Sequence, residues 1–192
     1  SNHILNLEAE FSVNYTNPEC SWEQLITSRI IWSGAVTLNP EDYADAGGYS
    51  LVWERCCRNA GIKNIINPGG TGMKYVTEIP PLWGVDNQAF VNSSPQLFAP
   101  LGDYACINQL YYTEFTGIDP DGDSLVYSLA TPLNSSSAVA LPIPQPAPHP
   151  LVFFAEGYDL GHMITGDPSL SISDRGLLRV NPSASGLYLF SV

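Results

Sequence analysis

Three aspartates alternate in the stretch GIDPDGDSLVYSL, Gly117–Leu129: Asp119, Asp121 and Asp123. Carboxylates at alternate positions around a glycine can aim several oxygens at one point. Calcium takes about six to eight oxygen ligands in flexible geometry, and its loops use Asp-x-Asp-x-Asp spacing. The helix–loop–helix version is absent, because Ser124 stands where a glycine should follow the third acid and the chain runs straight into a strand pattern. The three residues therefore read as a calcium turn of the kind found between or at the ends of β-sandwich domains, with Asp103 or Glu114 available to complete the shell. The plainer alternative is an Asp/Gly/Pro turn whose acids cap the backbone.

The second chemistry-bearing set is Cys20, Cys56, Cys57 and Cys106. No Cys-x-x-Cys occurs, and His3, His149 and His162 lie far from zinc spacing. In an exported chain of this composition the even count reads as two disulfides. As successive strand residues, Cys56 and Cys57 would point to opposite faces. Each is then expected to bridge to a different partner, Cys20 or Cys106, and a bond between the two neighbours is disfavoured.

Other signals are weaker. NPGGTGMK (Asn67–Lys74) has the look of a phosphate loop, but Met73 breaks the Gly-Lys-Ser/Thr order, and a glycine-rich β-connection is expected. There is no Gly-x-Ser-x-Gly or His-Glu-x-x-His, so no enzyme is expected. Trp22, Trp32, Trp53 and Trp83 could stack on sugars, yet Trp32 and Trp53 fall in strand patterns that should fill cores. Sequons at Asn14, Asn92 and Asn134 fit surface loops.

The elements that must position these residues are strands. Sixteen Gly and 16 Pro punctuate the 192 residues. Between them, period-two runs rich in β-branched and aromatic residues occupy Ser28–Leu38, Tyr49–Cys57, Met73–Ile79, Gln109–Thr116, Ser124–Ala130, Leu177–Val180 and Gly186–Val192. Only Ser21–Ser28 and Tyr158–Thr165 could form a turn or two of helix. Leu141–Pro150, LPIPQPAPHP, alternates proline and is expected to be an extended connection or edge segment, with a PxxP-type ligand as the minor reading. The fold class is all-β, with one or two sandwiches and little helix. The chain is 44% hydrophobic and 14% charged, which excludes a disordered chain, and no apolar run approaches the roughly 20 residues of a bilayer span. Nineteen acids against seven bases give a net charge of −12, which argues against nucleic acid as a partner.

The segment YSLVWERCCRNAGIKNI (Tyr49–Ile65) resembles very large surface proteins of gliding bacteria, described as gliding-motility-associated or as carrying a type IX secretion sorting domain of type B. The same proteins look similar at YTNPEC (Tyr15–Cys20), EIPPL (Glu78–Leu82), FVNSSPQLFAPLGDYAC (Phe90–Cys106), DPDGDSLVYSLATPL (Asp119–Leu133) and ALPIPQPAPHPL (Ala140–Leu151). The resemblance implies an exported, cell-surface or released β-rich protein and no particular chemistry. The sorting domain itself does not occur in the sequence, so the resemblance implies a piece or processed product of something longer. Within it, DPDGDSLVYSL and LSISDRGLLRVNPSASGLYLFSV (Leu170–Val192) resemble a cadherin-like or immunoglobulin-like repeat, interrupted at Thr131–Thr165 by the proline segment. That pattern suggests a disulfide-bearing sandwich over 1–108 and a cadherin-like sandwich over 109–192. One continuous sandwich is the alternative.

Two functions are expected from these features. The first is a non-enzymatic structural or adhesive module of a cell-surface protein or fibre, stabilised by calcium and disulfides and paired through strand edges with other copies or neighbouring domains. In that reading Ser1–Tyr15 is a candidate donor strand, with Leu5, Leu7 and Ala9 on one parity. The second is a carbohydrate-binding module of a secreted polysaccharide-degrading system, with Trp83, Tyr111 and Tyr158 as candidate glycan contacts. Exposed aromatics on one sheet would favour sugars; open edge strands would favour assembly.

Overall fold

Alternating runs become strands here only where a second run lies within hydrogen-bonding reach. The computed structural model describes residues 4–15, 17–21, 27–39, 41–84, 88–89, 91–98 and 104–192. Trp22, Asp103 and residues 1–3 lie outside that set. In chain order the strands are β1 (Asn6–Ser12), β2 (Ser28–Ser33), β3 (Tyr49–Arg55), β4 (Met73–Ile79), β5 (Gln96–Leu97), β6 (Tyr111–Glu114), β7 (Gly117–Ile118), β8 (Ser171–Ile172) and β9 (Leu177–Val180). Two three-residue 3₁₀ turns, Pro18–Cys20 and Pro68–Gly70, are the helical elements among the described residues. The all-β class holds. No described helix is long and apolar enough to cross a membrane.

The sheets are small. β1 pairs with β2, β3 with β4 and β5 with β7, while β6, β9 and β8 form a three-stranded sheet. The described residues show no two-layer sandwich. The core lies over the three-stranded sheet, where Met163, Leu170, Leu178 and Val180 are buried. Tyr111, Phe115, Leu129, Phe154 and Phe190 pack around them. Leu178 and Val180 share one face of β9, as period two requires, and Leu177 and Arg179 face out.

Two expected strands are not strands. Residues 124–129 run without a ladder, and Val126 is exposed. Gly186–Val192 makes only isolated bridges, Leu187 with Ile62 and Ser191 with Ala130. The reason is local. Leu189 spends its backbone groups on a side chain: its N–H donates to Asn64 Oδ1 at 2.8 Å, and its carbonyl accepts from Asn64 Nδ2 at 2.6 Å. The same Nδ2 donates to the Met163 carbonyl at 2.9 Å. Asn64, wholly buried, thus replaces a neighbouring strand. Flanking backbone bonds from Lys63 to Leu187, Ile66 to Phe153 and Ala155 to Asn64 knit residues 62–66 into the C-terminal half. Such bonds run across the expected boundary at residue 108.

Tyr158–Thr165 forms turns without helix, and residues 22–26 of Ser21–Ser28 lie outside the described set. Leu141–Pro150 is irregular and mostly exposed, with Leu141 and Ile143 open to solvent. Asn134 departs from its expected place in an open loop. It is half-buried, and its Oδ1 accepts the Gly72 N–H at 2.8 Å. Gly72 has no room for a side chain, because a Cβ there would overlap Ser135 Oγ and crowd the Arg55 carbonyl at 3.0 Å.

Candidate functional site

The best-connected polar cluster centres on Glu54 and Lys74, which sit opposite one another in the β3–β4 register. Both side chains are fully buried, with Lys74 Nζ 2.6 Å from Glu54 Oε1. Lys74 Nζ also lies 3.2 Å from Ser136 Oγ and 3.2 Å from His149 Nδ1. Ser136 donates its backbone N–H to Glu54 Oε2 and its hydroxyl to Oε1, both at 2.8 Å. Burial pushes the Glu54 carboxyl up, but the Lys74 hydrogen bond, the two Ser136 bonds and the Lys74 charge together hold it below the ordinary carboxylate range. Next to this cluster Arg58 donates Nε to the Gly72 carbonyl at 2.8 Å and Nη2 to that of Leu133 at 2.9 Å. Burial lowers its pKa, against the opposing charge of Tyr75. The ammonium has a carboxylate, a hydroxyl and an imidazole around it, so the arrangement holds β3, β4 and residues 133–149 together. Lys74 of the glycine-rich run thus serves a buried pair and not a phosphate. No spacing announces this cluster: Glu54 and Lys74 are 20 positions apart, and Ser136 is another 62 on.

The cysteine pairing departs from expectation. Cys20 bonds to Cys106, and Cys56 bonds to its neighbour Cys57. β3 ends at Arg55, so the two neighbours are not ladder residues and strand alternation does not govern them. Their peptide bond is cis and their Cα atoms are 3.0 Å apart. Cys56 is buried and Cys57 exposed. The Cys20–Cys106 bridge sits among reinforcing contacts. The rings of Tyr15 and Tyr104 lie 4.4 Å apart, Asn17 Nδ2 donates to the Tyr104 carbonyl at 3.2 Å, and the Tyr15 hydroxyl donates to Thr27 Oγ1 at 2.7 Å.

Asp119, Asp121 and Asp123 do share one turn. The Gly122 N–H bonds to the Asp119 carbonyl at 3.1 Å, and Gly122 takes φ +87°, which glycine adopts without strain. Asp119 Oδ1 accepts the N–H groups of Asp121 at 2.8 Å and Asp123 at 3.4 Å. Asp121 Oδ2 reaches across to the Ser93 N–H at 2.5 Å. Two of the three carboxylates therefore cap backbone donors. No group of three or more His, Cys, Asp or Glu side chains among the described residues is arranged to hold a metal ion.

The candidate glycan contacts do not meet at one place. Tyr111 packs against the core. Trp83 is half-buried, with its indole N–H enclosed and lacking an acceptor among the described groups. Tyr158 packs on Tyr188 with ring centroids 6.2 Å apart, and burial together with Tyr188 raises its pKa. A different set of aromatics lines a cleft of about 1180 Å³ beside the Cys20–Cys106 bridge: Phe11, Tyr15, Tyr104, Tyr188 and Phe190, with Asn14, Glu19 and Arg29 as polar groups. These residues come from the two ends and the middle of the chain, so no local motif announced the cleft.

Two ribbon faces complete the candidate surface. The expectation that Trp32 and Trp53 fill cores is overturned, since they are 53% and 44% exposed. On β3–β4 the inward face carries Val52, Glu54, Lys74 and Val76, so Leu51, Trp53 and Tyr75 face outward. The Trp53 and Tyr75 rings are 5.7 Å apart on that open face. On β1–β2, Leu7, Phe11, Ile30 and Trp32 are all exposed, and among the described residues no third strand joins the ribbon. Residues 6–12, part of the candidate donor strand Ser1–Tyr15, pair within their own chain.

Comparison of the chain with protein-family models, curated proteins and solved structures finds no match.

Ionised Glu54 has a depressed folded-state pKa, so its contribution to stability is present above the unfolded value of about 4.3 and is lost as pH falls through the folded value. Thermal melts across the acid range should show this loss in the wild type. Glu54→Gln should flatten that part of the profile and cost about 3–5 kcal/mol at neutral pH, because it leaves Lys74 buried without its counter-charge. A variant as stable as the wild type at neutral pH would remove the pair from its central place.

Proposed function

We propose that the chain is a non-enzymatic structural or adhesive module of an exported bacterial surface assembly, built from immunoglobulin-like or cadherin-like β-units and stapled by its two disulfides. It works by presenting uncovered β-surface to neighbouring parts of that assembly. The observation that carries the reading is surface area. The chain exposes 12792 Å², whereas a compact monomer of 20.8 kDa exposes about 8,900 Å² by the usual scaling of area with mass, an excess of about 3,900 Å². Large apolar side chains contribute to it on both ribbons and along the proline segment. Exposed apolar side chains gathered on one face mark sites of association. Disulfides suit an oxidising, extracellular setting, as does the resemblance to gliding-motility surface proteins.

The second reading, a carbohydrate-binding module, draws on the tyrosine-lined cleft with its few polar groups. Affinity electrophoresis through gels containing soluble polysaccharides separates the two. The assembly reading predicts unchanged mobility, together with binding of a hydrophobic dye that drops when Leu51 and Trp53 are both replaced by serine. Retardation by a polysaccharide that is lost in Tyr104→Ala would put the carbohydrate reading in its place. A wild-type chain that binds no dye would count against assembly.

Calcium belongs to this reading as a stiffener of the Asp119–Asp123 corner. Binding to the folded chain alone would raise its melting temperature, and chelation would lower it. Asp121→Asn should shrink that difference. A melt indifferent to chelator and to added calcium would leave the turn with its backbone-capping role alone.

A further inference from the structure

The two uncovered ribbons differ in charge and agree in size. β1–β2 and β3–β4 are antiparallel pairs of six or seven residues per strand, each roughly 20 Å long at the usual rise. Cross-strand partners share a face. On β1–β2 the register Leu7–Trp32 and Glu10–Ile30 places Leu7, Ile30, Trp32 and Glu10 on one face, with the bulge between Leu7 and Ala9 keeping Leu7 there. Glu10 is the one charged side chain in that set. On the outward face of β3–β4 lie Leu51, Trp53, Tyr75 and Thr77, and the one charged side chain is Arg55, which is exposed.

We infer that these two faces are partners: the β1–β2 face of one copy of this chain covers the outward β3–β4 face of a second copy, with Glu10 set against Arg55. This rests on the assembly reading above and names the neighbour as the chain itself. Two observations carry it. Neither face is covered by the described residues, and a two-stranded ribbon is marginal alone, so stacking two of them gives each the second layer it lacks. Charge selects the pairing. Two β1–β2 faces would oppose Glu10 to Glu10, and two β3–β4 faces would oppose Arg55 to Arg55, so only unlike ribbons bring opposite charges together. With seven bases in a chain of net charge −12, a lone arginine on an apolar face is a specific mark for an acid. The contact joins two different surfaces, so it propagates head to tail and need not close into a ring.

The test uses the full chain and sedimentation velocity over a range of concentrations. Wild type should show mass rising with concentration. Glu10→Arg and Arg55→Glu should each weaken self-association about tenfold or more, because each sets like charges against one another. An equimolar mixture of the two variants should recover the wild-type distribution, since every junction between unlike copies again pairs opposite charges. Thermal melts of each variant check that it is folded. Association unchanged in both variants, or a mixture of folded variants that stays dissociated, overturns the inference. A wild type that stays monomeric overturns it too, and dye binding by that monomer then shows whether the broader reading survives with a different partner.

Discussion

The buried Glu54–Lys74 pair decides which way the middle of the molecule faces. Taking two charges out of water costs several kcal/mol per ion unless their remaining hydrogen-bonding capacity is met. Here Ser136 and His149 meet it from residues that follow by more than 60 positions, so the pair draws the 133–149 stretch onto the β3–β4 ribbon. Strand side chains alternate strictly, and turning Glu54 and Lys74 inward turns Trp53 and Tyr75 outward. The outward orientation of the aromatic face is therefore a consequence of the buried charge.

Asn64 plays the corresponding part in the C-terminal half. A carboxamide offers a donor and an acceptor with the spacing of a peptide group, so it can pair with the Leu189 backbone as a strand would. That bond, the Met163 carbonyl contact and the small core around Met163 hold the C-terminal segments to residues 62–66 without a wide sheet. The two disulfides act at other places: one anchors the first 3₁₀ turn to the run before β6, and the other joins adjacent residues just past β3. Order in this chain comes from point attachments, and the wide apolar surface is what remains.

Strands with strong period-two patterns were legible from sequence. Met73–Ile79 and Leu177–Val180 match β4 and β9 to the residue, and Tyr49–Cys57 overran β3 by two. The orientation of β3 was not legible. Leu51 and Trp53 outweigh Val52 in apolar bulk, so the odd face looked like the buried one, and nothing near Glu54 in sequence shows that Lys74 and Ser136 will enclose it. Gly186–Val192 has a strand's composition but finds a side chain as its partner, which periodicity does not register. Sequence reasoning disfavours the vicinal bond at Cys56–Cys57 because joining adjacent residues needs unusual geometry, and the end of β3 at Arg55, which frees the two residues from the ladder, is not marked in the pattern. The Asp119–Asp123 turn was placed correctly as a turn, and its backbone caps follow from the Asp/Pro/Gly order. The tyrosine-lined cleft needed residues 11–29 and 104–107 beside 180–190, a meeting that no spacing rule encodes.

The account comes down to a polar interior that is locked and β-ribbons that are left open, and amide hydrogen exchange resolves both at once. In dilute protein the amides of Ser136, Ala155 and Leu189 should exchange among the slowest, because they are bonded into the two networks. Amides of β1 and β2 should exchange orders of magnitude faster, and should slow as the protein is concentrated and their face is covered. Ribbon amides as protected in the dilute chain as those of the networks would contradict the account.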